Sequence, residues 1–362
     1  MIRSRLKNFD VILFLVTILI FTIGLAFLYS ATYQLAQGFL LRQLLRFAFG
    51  VLIGIVIFKI DYQKWLELAY PLYGLNLVIL VLVLILGEHR MGAQRWISWG
   101  NIGFQPAEFS KLVIILVLTR YLGERPAQGR GLLSKELLLC FLLTGIPFIL
   151  IVQQPDLGTA LTLIPILFAV LYIWGASLKT LLLILGTGIF ASPIFWHLLK
   201  DYQKRRILVF INPNMDPLGA GYTIIQSKIA IGSGGLLGKG WLSGTQSQLN
   251  FLPERHTDFI FSVVGEEWGF LGALLLLLLY GILIWRAFAI AQATSSLSGR
   301  LLAAGIIVLI AFQVIVNIAM TMGVMPVVGL PLPLISHGGS ALLTFLVALA
   351  MLLNIGMNRS IL

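Results

Sequence analysis

Apolar residues fall into runs of about 20 separated by short polar breaks, the length a helix needs to cross a bilayer. Taken in order, the runs predict ten spans, at residues 11–30, 44–57, 68–86, 106–122, 137–152, 157–174, 181–199, 258–285, 301–322 and 341–355. The run 274–279 shows no alternation of apolar and polar positions, so the spans read as helices rather than barrel strands. The fold class is therefore all-α, and residues 1–362 read as one integral membrane domain.

Two polar stretches interrupt this rhythm. Residues 87–104 form a polar, aromatic segment between the third and fourth spans. Residues 200–257 form one long excursion before the eighth span, rich in glycine from Gly232 to Gly244, with an amphipathic helix expected at 222–231. Loops of this length are usually functional.

Composition sharpens the class. Hydrophobic residues make up 59% of the chain and charged residues 11%, which excludes a soluble enzyme and a disordered chain. The formal charge of +11 is read as orientation rather than nucleic-acid binding. With the N-terminus inside, Arg3, Arg5, Lys7, Lys59, Lys64, Arg120, Arg125, Arg130, Lys135, Lys179, Arg286, Arg300 and Arg359 fall on the cytoplasmic side. Only Arg42, Arg46, Arg90 and Arg95 fall in short outer loops. Both termini are then cytoplasmic, and the basic start reads as an uncleaved first span. The long loop, Arg90–Arg95 and Gln154–Asp156 face outward together, so a site is expected there.

The single cysteine, Cys140, excludes an intrachain disulfide and a thiolate metal cluster. The string Gly232-Ser-Gly234-Gly-Leu-Leu-Gly238-Lys239-Gly240 lacks the spacing of a nucleotide-binding loop. No nucleotide, haem or flavin is expected.

Ionisable groups at spans are costly and point to function. In Pro253-Glu254-Arg255-His256-Thr257-Asp258, Asp258 sits at a helix entrance, as a reactive carboxylate or, with Thr257, as a cap. Glu266, two turns on, shares the face of Asp258 and needs a partner, whereas Glu267 points away. Gly265 and Gly269 read as a close-packing pair. Glu108 and Lys111 can neutralise each other at i,i+3, or Lys111 can serve Asp258 or Glu266. Arg90, Arg95 and Trp96 suit an anionic lipid headgroup or a membrane-interface belt. Gln154 and Asp156 precede the sixth span, where Asp156 is expected to cap.

Four separated strings, Phe104-Gln105-Pro106-Ala107-Glu108, Gln154-Pro155-Asp156-Leu157-Gly158-Thr159, Pro253 to Phe261, and Pro331-Leu-Pro333-Leu-Ile-Ser336-His337-Gly338-Gly339-Ser340, resemble the SEDS family of bacterial membrane proteins. Glu254-Arg255-His256 and Val328-Gly329-Leu330-Pro331 look more like its RodA branch than its FtsW branch. His337 stands where the family is expected to carry Tyr. The resemblance implies a ten-helix peptidoglycan polymerase in the bacterial cytoplasmic membrane, acting on its outer face during elongation. It would use lipid II and work with a class B penicillin-binding protein, the transpeptidase. The family's essential aspartate maps to Asp258, as general base or as ligand of a Mg or Mn ion. Arg90, Arg95, Trp96, Gln105, Glu108, Lys111, Gln154, Asp156, Arg255, His256, Thr257, Glu266 and Ser336 are the supporting candidates. A lipid II flippase, an FtsW-type division polymerase and a recruiting scaffold are the alternatives.

Overall fold

The structure is a computed structural model and describes residues 9–34, 38–90, 93–99, 102–125, 134–217 and 219–358. Helix α1 (Val11–Thr32) is opened by Asp10, whose carboxylate accepts the Leu13 amide at 2.9 Å. It is followed by α2 (Phe39–Lys59), the short α3 (Tyr62–Glu67) and α4 (Ala69–Leu86). Three strands come next, β1 (Glu88–Arg90), β2 (Ala93–Trp99) and β3 (Ile102–Phe104). They form an antiparallel sheet in that order, with Arg90 opposite Ala93 and Ile97 opposite Phe104. The polar segment 87–104 is thus this small sheet, a departure from a purely helical reading.

The chain continues through α5 (Pro106–Gly123), α6 (Lys135–Gln153), α7 (Leu157–Trp174), α8 (Leu178–Phe190) and α9 (Ser192–Leu198). The long polar stretch folds into α10 (Asp201–Ile211), α11 (Ala220–Ser233) and the single turn α12 (Thr245–Gln248). The expected amphipathic helix is α11. Helices α13 (Ile260–Gln292), α14 (Leu297–Thr321) and α15 (Gly339–Met357) complete the bundle.

Eight helices among the described residues are long and apolar enough to cross a membrane: α1, α2, α4, α6, α7, α13, α14 and α15. The chain is a multi-pass membrane protein. Two of the ten expected spans do not meet that standard alone. Helix α8 has 13 residues and breaks before α9. Helix α5 carries Glu108, Lys111 and Arg120. It tolerates Glu108 and Lys111 because it runs through the protein interior, where Lys111 Nζ lies 2.8 Å from Glu108 Oε2 and the lysine is fully buried, and Arg120 because it lies partly exposed in the last turn, 2.9 Å from Glu124. The core is built around α14 and α15, whose apolar windows are 72% and 89% buried, against 17% for the peripheral α2. Cys140 is a buried core residue on α6.

Helices α1 and α13 are joined at both ends. The Ser30 hydroxyl donates to the Glu267 carboxylate, and Arg286 Nη2 donates to Asp10 at 2.7 Å. Between these ties α13 breaks at Gly269, at φ 63° and ψ −156°, a region open essentially to glycine alone. The glycine-rich loop after α11 fills the break. Lys239 and Gly240 amides donate to the Glu266 and Glu267 carbonyls, each at 3.0 Å. Phe270 and Leu271 amides donate to the Gly235 and Leu236 carbonyls at 2.9 and 3.1 Å. Backbone groups released by the break are thereby satisfied, as a low-dielectric setting demands. Gly269 thus packs closely, as expected, but against the glycine-rich loop and at a break in its own helix, where a Cβ would lie 2.3 Å from the Gly238 nitrogen. Gly265 also packs closely, with a built Cβ only 3.2 Å from Ile231.

Candidate active site

Asp258 lies just before α13, in a turn made by Glu254, whose carbonyl accepts the amides of Thr257 and Phe259 at 3.1 and 3.2 Å. The Thr257 hydroxyl donates back to Glu254 Oε2 at 2.9 Å. The expected capping role is not seen: Phe259 occupies the N-cap position and no side chain caps α13. The close turn consumes Thr257 locally and leaves the Asp258 carboxylate to other work. Its backbone is fixed from two sides. Asn317 on α14 donates to the Asp258 carbonyl at 2.9 Å, and Ser336 donates to the Thr257 carbonyl at 2.6 Å. The His337 amide donates to the His256 carbonyl at 2.9 Å. Gly329, at φ +72°, brings bare backbone against Asp258, where a Cβ would lie 3.3 Å from Oδ2. The strings 253–258 and 329–337, far apart in sequence, thus form one shelf.

Facing this shelf are the charges of β2, α7 and α10. Arg95 Nη1 lies 3.6 Å from Asp156 Oδ1. Gln105 Nε2 donates to Asp156 Oδ2 at 2.6 Å, while the Gln105 amide donates to Ser340 Oγ at 2.9 Å. Asp156 also caps α7 through the Thr159 amide at 3.3 Å, as expected, so it has a structural and an electrostatic task. Burial pushes the Asp258 carboxyl up to about 6, helped by Glu254 and Asp156 and opposed by Arg95 and Arg206. No donor among the described residues reaches its oxygens. Arg206 Nη1 donates to the Val327 carbonyl at 3.3 Å, which ties α10 to the same loop. Nearby, the buried Arg95 Nε finds no hydrogen-bond partner among the described residues, while the Tyr202 and Gln203 side chains lie within reach of each other. A buried donor without a partner is costly unless a ligand or solvent satisfies it.

Other candidates are placed elsewhere. Lys111 serves Glu108 and, at 3.4 Å, Gln313, not Asp258 or Glu266. Glu266 shares no contact with Asp258. It accepts from Lys239 Nζ at 2.9 Å and from the Gln246 and Ser247 amides at 2.8 and 3.1 Å, clamping the start of α12. Gln154 ties α6 to the Leu80 carbonyl at 2.9 Å, and Arg255 Nε ties the loop to the Ala31 carbonyl at 2.6 Å. Trp96 adjoins Arg95 on β2, so its side chain leaves the opposite face of the sheet. The Arg90 backbone is in β1, and its side chain lies outside the described residues. His337 Nε2 sits 3.0 Å from Arg46 Nη1. Burial first, then Arg46, His256 and Arg42, push its imidazole down to about 3, so it stays neutral and accepts from Arg46.

Tyr202 and Arg206 were not singled out by the sequence reading. The available signal was their i,i+4 spacing, which puts both on one face of α10.

A half-buried cluster of charges around Asp258, Asp156, Arg95 and Arg206, at one end of a bundle of membrane-spanning helices, defines a multi-pass membrane protein with a polar site at that end. The sequence profile of the cell cycle protein family that groups FtsW, RodA and SpoVE matches residues 10–361. The peptidoglycan glycosyltransferase MrdB of Escherichia coli K12 is 41% identical over 329 residues, covering 90% of this chain and 87% of that protein. Among solved structures, a chain of a peptidoglycan synthase complex that coordinates polymerization and crosslinking superposes with TM-score 0.84 at 38% identity, covering 98% of this chain and 99% of that one. The rod shape determining protein RodA of Thermus thermophilus superposes with TM-score 0.73 at 34% identity, covering 97% of each chain. The chain belongs to the FtsW/RodA/SpoVE family.

Proposed function

We propose that the chain is a RodA-type peptidoglycan glycosyltransferase that polymerises glycan strands from lipid II at the outer face of the bacterial cytoplasmic membrane. The observation that carries this reading is Asp258: a carboxylate whose oxygens no donor among the described residues reaches, pushed up to about 6 by burial and Glu254 against the opposing pull of Arg95 and Arg206. A general base works best with a pKa near the working pH. The 4-hydroxyl of the acceptor GlcNAc gives its proton to Asp258 as its oxygen bonds the anomeric carbon of the donor sugar. The bond from that carbon to undecaprenyl pyrophosphate breaks, and the electron pair leaves with the pyrophosphate. Arg95 and Arg206 are the cations that receive that charge.

A Mg or Mn ion fits this donor set in one way. Such an ion is often held by one or two carboxylates with substrate phosphates and water completing its shell, and Asp258 supplies one open carboxylate. When bound, the ion would neutralise pyrophosphate charge. No group of three or more His, Cys, Asp or Glu among the described residues forms a protein-only cage.

A class B penicillin-binding protein is the partner this reading implies. The flippase alternative draws on buried charges that the fold has already engaged: Glu108 by Lys111, Glu266 by Lys239 and Glu267 by Ser30. The test is polymerisation of labelled lipid II by the purified chain. It is run with Mg or Mn and a transpeptidase-dead partner that lacks a glycosyltransferase domain. Long glycan from the wild type and none from Asp258→Asn supports the reading. Equal product from both removes Asp258 from the chemistry.

A further inference from the structure

The loop that fills the break in α13 also carries an apolar tip. Leu236 and Leu237 are 71% and 77% exposed, although the Leu236 carbonyl accepts from the Leu271 amide of α13 at 3.1 Å. Their exposed face continues into Phe270, Leu271, Leu274 and Leu275, the outward face of a membrane-spanning helix.

Two helices set the depth of this tip independently. Gly269 is 17 positions from Arg286, about 25 Å at 1.5 Å per residue. Tyr29 is 19 positions from Asp10, about 28 Å by the same rise. Asp10 and Arg286 are paired and so mark one level. Both lengths approach the hydrocarbon thickness of a bilayer, about 30 Å. At the far level Trp241 packs on Tyr29 with ring centroids 5.8 Å apart, and Tyr29 on Tyr33 at 5.6 Å. Aromatic clusters of this kind mark the membrane–water interface.

We propose that the loop 234–240 is a lipid wedge: Leu236 and Leu237 sit among acyl chains of the leaflet on the Asp258 side, with Trp241, Tyr29 and Tyr33 at headgroup level. The bilayer is the occupant because the tip is continuous with a spanning face and ends at an aromatic girdle. The wedge holds the α10–α12 segment against the membrane, beside the shelf that carries Asp258. This inference does not depend on the reaction assigned to that shelf.

The test uses the full chain in lipid nanodiscs, with Leu237→Cys in a Cys140→Ala background and an environment-sensitive fluorophore on the new thiol. Asn250→Cys, at an exposed loop position, is the aqueous control. Lipids carrying a nitroxide near the glycerol end of the acyl chain are expected to quench position 237 at least threefold more than position 250. Aqueous iodide is expected to show the reverse. Iodide quenching of position 237 as strong as at 250 overturns the proposal. So does protection of 237 from both quenchers, which a covering protein would produce. Leu236→Cys repeats the measurement if the first variant assembles poorly.

Discussion

The buried amide of Asn317 bridges Asp258 and Leu330, donating to their carbonyls at 2.9 and 2.7 Å. One side chain on α14 thereby registers the turn that carries Asp258 against the loop that packs on it. Asn317→Ala leaves both carbonyls without this donor, at about 1–3 kcal/mol for each buried group. The expected outcome is a kcat lowered by tenfold or more at nearly unchanged KM for lipid II, with the pH midpoint unmoved. A shifted midpoint would mean that Asn317 acts on ionisation and not on position.

Asp258 must be ionised to accept a proton, and its carboxyl is pushed up to about 6. Polymerisation should rise as pH increases through about 6 and level off above it. Removing a general base costs about 10²–10⁴-fold, so Asp258→Asn should fall by that range while its thermal unfolding stays close to wild type. A wild-type rate that is flat from pH 5 to 8 would contradict the assignment.

Arg206 opposes the upward shift of Asp258. Arg206→Ala should therefore move the pH midpoint of activity upward as well as weaken the reaction, by about 10–100-fold if a charged hydrogen bond of 1.5–3 kcal/mol is lost. Arg206→Lys should recover part of the rate and return the midpoint toward wild type. Rate profiles across pH separate this from a purely structural loss, which would lower the rate without moving the midpoint.

Glu108 and Lys111 are buried together. Removing one partner strands the other charge, at about 3–5 kcal/mol. Glu108→Gln and Lys111→Met should each lower the unfolding temperature clearly in detergent, and the double variant should regain most of the loss. Losses that simply add in the double variant would show that the pair is not coupled.

Gly269→Ala should be among the most damaging small substitutions in the chain. The added Cβ would lie 2.3 Å from the Gly238 amide nitrogen, in a backbone region closed to other residues. Limited proteolysis of the 234–250 region should accelerate. Gly281→Ala, where a Cβ meets nothing within 4 Å, is the matched control.

Eight of the ten expected spans were legible because a bilayer imposes a length and an apolarity that few other constraints can mimic. The Asp258 string was legible because charge at a helix entrance is costly. Three features were not. The sheet 88–104 carries little periodicity in strands of three to seven residues. Glu266 appeared to share a face with Asp258, yet its partner, Lys239, comes from a loop whose docking only the fold reveals. Tyr202 and Arg206 lie in the long polar stretch, and only the fold brings α10 over the loop at Val327.

The double tie between α1 and α13 bears on how the chain is made. Asp10 and Arg286 are 276 residues apart in sequence. At a synthesis rate of about 5–20 residues per second, the first helix waits roughly 14–55 s for its partner to emerge. Through that interval Asp10 and Ser30 lack the groups that later engage them, and most of the bundle is inserted around a helix whose final neighbour does not yet exist. Biogenesis of this protein is thus a holding problem, in which early helices must be kept from mispairing until the eighth expected span arrives.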